Sequence, residues 1–148
     1  MKEMFEECIG LEELDLSNFD TSKVIDMALM FSNCVKLKRI KGLENFKTSQ
    51  VTNMQAMFQQ CIGLEELDLS NFDTSNVTDI SFMFANCFNL KRIKGLEKFN
   101  TKKVTTMKTL FQQCKQLENL DLSNFDTSNV TDMGFMFNNC IKLKRIKG

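Results

Sequence analysis

The stretch LDLSNFDTS, Leu67 to Ser75, decides the fold because it is not alone. The same nine residues stand at Leu14–Ser22 and at Leu120–Ser128, with starts 53 residues apart. Between the copies lies a variant on the same skeleton: IKGLENFKTS at Ile40–Ser49 and IKGLEKFNTK at Ile93–Lys102. A fixed internal period is the signature of a repeat array, whose units bury their apolar faces only by stacking on one another.

The six cysteines subdivide that period. Cys8, Cys34, Cys61, Cys87, Cys114 and Cys140 are spaced 26, 27, 26, 27 and 26 residues apart. Two unit types therefore alternate. The longer one carries an extra residue around Gly42 and Gly95, which reads as a glycine bulge or a looser strand exit. In each unit Cys is followed three residues on by Leu and six residues on by Leu or Ile, and the stretch LEELDL, with Leu64, Leu67 and Leu69, alternates apolar and polar residues after the pattern of a short strand. The segment that follows has helical spacing. Val77, Ile80, Phe84 and Cys87 are offset by three, four and three, as are Val24, Met27, Phe31 and Cys34. That pattern predicts a helix of about three turns with one apolar face. Between strand and helix, Phe-x-Thr-Ser recurs, and its hydroxyl and Asx side chains predict N-caps and turn hydrogen bonds.

The expected fold is α/β: a leucine-rich-repeat-like solenoid, with six short parallel strands on one face and short helices on the other. Residues 1–148 read as a single repeat domain of six units, with the first helix truncated because Met1 aligns with Met27. No polar capping unit is visible at either end, although solenoids normally need one. Either the chain belongs to a longer array or its open ends are used.

Composition narrows the function. Lys plus Arg and Asp plus Glu both number 19, so the formal charge is zero. Nucleic acid and anionic membrane surfaces are not expected partners. There is no His, hence neither the commonest general base nor a frequent metal ligand. No apolar run approaches the ~18 residues of a membrane span. No Gly-rich phosphate loop is present, so no enzyme, cofactor or metal is expected. The cysteines face the core as small apolar residues and are read as a reduced ladder rather than disulfides, since parallel Cβ vectors do not suit a bridge. The Asn/Asp turn clusters match no calcium loop and read as turn chemistry.

Taken together, LxxLDLSNFDTSNVTDMxxMFxxC resembles the repeat of BspA-like bacterial surface leucine-rich-repeat proteins, a type also abundant in mycoplasmas. The resemblance spans essentially the whole chain. It implies a surface-exposed or secreted protein that binds other proteins, host surface proteins among them. No signal or anchor segment accompanies it here.

Two candidate interaction regions follow from the residues. Short units present acidic strands, with Glu13 and Asp15 in the first. Long units present basic ones, with Arg145 and Lys147 in the last. Opposite charges across paired strands stabilise by roughly 0.2–1 kcal/mol per pair. The alternation reads first as a solvated face with weak surface pairs. It also leaves an acidic first edge (Glu12, Glu13, Asp15) and a basic last edge (Lys144, Arg145, Lys147), and unlike edges permit end-to-end self-association. The second region is an outer row, Leu29, Phe82 and Phe135, about 140° or more from the core-facing centre of the predicted helices. It either binds a partner protein or packs against neighbouring helices. The expected function is thus a non-catalytic protein-binding or adhesion module at a bacterial surface. The alternative is a structural element that stacks end to end.

Overall fold

The computed structural model describes residues 1–148. The segment after each cysteine yields a three-residue strand centred on its Leu or Ile: β1 Glu13–Asp15, β2 Arg39–Lys41, β3 Glu66–Asp68, β4 Arg92–Lys94, β5 Asn119–Asp121 and β6 Arg145–Lys147. In β1 to β5 the central Leu or Ile is more buried than the residue before it, as the two-residue side-chain period requires. Pairing is parallel and in register, with Glu13 against Arg39, Glu66 against Arg92 and Asn119 against Arg145.

The strands pair only two by two. Instead of the expected continuous six-stranded sheet there are three separate sheets, β1–β2, β3–β4 and β5–β6. The extra residue of the long unit is the cause. After β2 and β4 the chain passes through Gly42 and Gly95, both at φ 91°, into 3₁₀ turns at Leu43–Asn45 and Leu96–Lys98. A Cβ on Gly42 would lie 2.5 Å from the Ser17 backbone nitrogen, so only glycine permits this approach to the preceding short unit. The turn then occupies the side facing the next unit. There Asn71 Nδ2 donates to the Glu44 carbonyl at 2.8 Å, so the following unit meets the turn instead of pairing with β2.

The helices expected on the opposite side do not form. Residues 27–34 show what replaces them. The N–H groups of Met30, Ser32 and Cys34 close turns three residues back, onto Met27, Leu29 and Phe31. The intervening N–H groups of Met27, Leu29, Phe31 and Asn33 instead donate to Asn53, Gln55, Met57 and Gln59 of the next unit, at 2.8–3.0 Å. Every second amide thus leaves its own coil. Leu29 and Asn33 sit at φ 59° and 60°, and the equivalent residues in all other units are also left-handed. An α-helix needs i→i−4 bonds and uniformly negative φ. A helix is also about 10–12 Å wide, whereas hydrogen-bonded coils stack at about 4.7–4.9 Å. A ladder between coils on this side therefore leaves no room for helices.

The ribbon of overlapping turns is headed by Asp26, Asn53, Asp79, Thr106 and Asp132, which bridge in parallel from unit to unit. The Oδ1 atoms of Asp26, Asn53, Asp79 and Asp132 each accept from the N–H two residues on, an Asx turn that starts the ribbon.

Side chains stack in columns through the core. Phe5, Phe31, Phe58, Phe84, Phe111 and Phe137 form one pile, with neighbouring ring centroids 5.3–6.0 Å apart. The cysteines form a second. Each Sγ from Cys34 to Cys140 donates to a Phe carbonyl of the preceding unit at 3.0–3.1 Å. Threonines of Phe-x-Thr-Ser form a third, and they are not helix caps. The Thr74 hydroxyl donates to the Asn100 carbonyl at 3.1 Å and accepts from the Asn100 N–H at 2.8 Å. Thr21, Thr48 and Thr101 make the same two-way bridge. No buried side-chain polar atom lacks a partner.

Candidate binding surfaces

The buried residues are apolar apart from a few threonines and serines. No three His, Cys, Asp or Glu side chains gather where a metal ion could be held. Burial lifts the thiols out of the reactive range: Cys34 to about 11, Cys87 to about 12, and Cys61 and Cys114 well above the ordinary value. Candidate sites therefore lie on the outside, on the strand face, along the ribbon, and on the two end units.

On the strand face the charges pair within each two-stranded sheet. Lys38 meets Glu12 at 2.8 Å, Lys41 meets Asp15 at 2.9 Å, and Arg39 pairs with Glu13. The second sheet repeats this through Lys91–Glu65 and Lys94–Asp68, the third through Lys144–Glu118 and Lys147–Asp121. The strand aspartates are further held by serines two residues on. The Ser123 hydroxyl, Lys147 and the Ser123 N–H together take Asp121 down to about 2, and Ser17 and Lys41 hold Asp15 lower still. Of the six edge residues predicted from the sequence, five are thus engaged inside their own sheet: Glu12, Glu13, Asp15, Lys144 and Lys147. Arg145 has no carboxylate partner, because its register neighbour is Asn119.

Where the sheets fail to join, the face opens into two clefts. The cleft between β2 and β3 has a volume of about 700 Å³, and the one between β4 and β5 about 470 Å³. Each has a basic strand on one side and the next short-unit strand on the other. Close packing at Gly63 bounds the first cleft. Gly63 donates its N–H to the Val35 carbonyl at 3.1 Å, and its Cβ position lies 2.7 Å from the Leu37 oxygen. The clefts escaped the sequence reading, although the 27-residue spacing and Gly42 and Gly95 were its trace.

The outer row falls at corners of the turn ribbon, not on helices. Leu29, Phe82 and Phe135 occupy the left-handed position of the first turn, with φ 59° in each. Ala56 and Thr109 hold that position in the alternate units and are buried, while Leu29 and Phe82 are half-buried and Phe135 is 66% exposed. The amide ladder sets these residues in one column, so large and small side chains alternate along it.

The end units differ in polarity. The N–H groups of Met133, Phe135, Phe137 and Asn139 have no acceptor, and the carbonyls of Lys2, Met4 and Glu6 have no donor. These are the groups that every interior unit pairs with its neighbour.

No helix is long and apolar enough to cross a membrane. No curated protein and no solved structure matches the chain. A family model described as Mycoplasma protein of unknown function, DUF285, matches it twice, over residues 1–95 and 88–146. These two matches together span nearly the whole chain, and the chain belongs to that family.

Proposed function

We propose that this chain is a non-catalytic protein-binding module of a bacterial surface, a leucine-rich-repeat-like solenoid of the BspA-like kind, acting in adhesion. The observation that carries this reading is the pair of clefts in the strand face. The ribbon side satisfies its backbone unit by unit, and the core is closed. The strand face alone combines concave relief, charged walls and strand edges without partners, the features on which an extended segment of another protein docks. Localisation at the cell surface or outside the cell belongs to the same proposal.

The test is a binding screen of the immobilised chain against purified extracellular-matrix and serum proteins. Two variants run beside it. One carries Leu29→Ser, Phe82→Ser and Phe135→Ser in the outer row. The other carries Glu66→Gln, Arg92→Gln and Arg145→Gln in the clefts. A partner held by the parent and the row variant but lost by the cleft variant supports the reading. Absence of any partner, or equal capture by all three proteins, removes it.

A second reading, end-to-end self-assembly, rests on the unlike end units. A row of free N–H groups on one end and free carbonyls on the other suits a second copy stacked in the same direction. Since five of the six charged edge residues are already paired internally, such stacking would be carried by the amide ladder and the Phe column. Light scattering across concentration should then show growth with little dependence on salt. A monomer at high concentration refutes it.

A further inference from the structure

Glu66 and Arg92 are register partners in the middle sheet, as Glu13 and Arg39 are in the first. Only the first pair forms an ion pair. Glu66 lines the cleft between β2 and β3, and Arg92 lines the cleft between β4 and β5. In the third sheet Asn119 stands where Glu13 and Glu66 stand, so Arg145 faces an amide and not a carboxylate. Arg145 lines the same cleft as Arg92. Two guanidinium groups without a carboxylate therefore converge on one cleft. The other cations there are occupied, Lys91 by Glu65 and Lys147 by Asp121. The one carboxylate lining it, Asp121, is already held by Ser123 and Lys147.

We infer that the cleft between β4 and β5 binds an extended acidic segment of a partner protein. A carboxylate is held between Arg92 and Arg145, and the segment's main chain runs along the strand edges that β4 and β5 leave unpaired. The guanidinium fork matches a carboxylate through two parallel N–H···O bonds, and Arg is less strongly hydrated than Lys, so it gives up water more readily. Ile93 and Leu120 give the cleft an apolar floor, on which the aliphatic parts of a peptide can lie. A free small anion would use the guanidinium groups but neither the floor nor the strand edges, which is why a peptide is the better occupant. The cleft between β2 and β3 is a built-in control. Its arginine, Arg39, is taken by Glu13, and the charges left without an ion pair are the carboxylates of Glu66 and Glu44. It should reject the same ligand.

This inference rests on the protein-binding reading but is tested without knowing the natural partner. The probe is a fluorescein-labelled, end-blocked peptide of alternating Thr and Glu, in which every Glu of the extended chain points the same way. Binding is followed by fluorescence anisotropy at low ionic strength. The parent should bind it, and the same peptide with Gln for Glu should bind at least about tenfold more weakly, as loss of a charge-assisted bond implies. Two variants should lose binding to the same degree. Arg92→Gln with Arg145→Gln removes the cations, and Asn119→Glu supplies Arg145 with the carboxylate its counterpart Arg39 already has. All these positions are exposed, and circular dichroism confirms that the fold persists. Failure of the parent to bind, or equal binding by the variants, overturns the inference. So does displacement by acetate or inorganic phosphate as effective as by unlabelled peptide, which would mean a plain anion site. Failure here together with a positive protein screen would overturn only this cleft assignment, not the binding module.

Discussion

Gln59 and Gln60 form a matched pair that separates a ribbon of turns from a helix. They are adjacent, both half-buried, and neither side chain makes a hydrogen bond. Their backbones differ. Gln60 sits at φ 56°, while Gln59 is not left-handed. Holding an L-residue in the left-handed region costs roughly 1–2 kcal/mol, a cost that glycine does not bear. Glycine brings its own loss of about 0.5–1 kcal/mol through greater freedom of the unfolded chain. Gln59→Gly should therefore destabilise by about 0.5–1 kcal/mol. Gln60→Gly should be neutral or stabilising by up to about 1.5 kcal/mol. The unfolded-state term is common to both variants and cancels, so the difference between them measures the left-handed strain alone, about 1–2 kcal/mol. Urea unfolding monitored by circular dichroism, with midpoints compared at equal slope, gives this difference directly. In an α-helix the two substitutions would cost the same. Equal losses would refute the turn ribbon.

The remaining expectations follow from the core columns and the strand face. Thr74→Val keeps shape but leaves the Asn100 amide and carbonyl without their bridge, which should cost about 2–4 kcal/mol in urea unfolding; Thr74→Ser, which keeps the hydroxyl and loses a methyl, should cost about 1 kcal/mol. A valine variant as stable as the serine one would disprove the bridging role. Because burial raises the folded-state values of Cys34 and Cys87 to about 11 and 12, the thiols favour the folded chain fully below the unfolded thiol value near 8.5; that contribution is lost as pH rises toward 12. Thermal melts should fall across that window, and a thiol reagent at neutral pH should label exposed Cys8 first; equally fast labelling of all six would contradict the ladder. At the acid end, Asp121 is held at about 2, and Asp15, Asp68, Asp73 and Asp126 are also lowered. Stability should hold above about pH 4 and decline as pH falls toward 2, checked by melts in a pH series.

Most of the framework was legible because it lies in the repeats themselves. The 53-residue period, the alternation of two units, the inward Phe, Met and Cys columns, and the acidic-against-basic strand register all stand in the structure as the residues imply. The helices were misread for a specific reason. The ribbon repeats every four residues, so it turns Met27, Met30, Phe31 and Cys34 inward, at offsets of three, four and seven. Over so short a segment a period of four cannot be told from one of 3.6. The contrary signals were there. Asn33, Asn86 and Asn139 recur at one left-handed position, and Asn is among the residues that tolerate it best. Asp26, Asn53 and Asp79 begin each ribbon with an Asx turn, chemistry that competes with helix formation.

The clefts were harder to read because they arise from a mismatch between two sides of one coil. On the ribbon side the amide ladder runs through all units, so each coil is held at one strand spacing from the next. On the strand side the long unit carries an additional residue that must be stored somewhere. It is stored in the glycine and 3₁₀ turn, on the side facing the following unit, and the sheet opens there. The opening therefore recurs once per 53 residues and not once per coil. Each cleft is lined by a charged residue that makes no ion pair inside its own sheet, Glu66 in the first and Arg92 in the second. Against that background a single change, Asn for Glu at position 119, is enough to make the second cleft cationic while the first stays mixed. Near-identical units can thus build unlike surfaces: the repeat supplies the relief, and isolated substitutions at the cleft rim set the charge that each cleft presents.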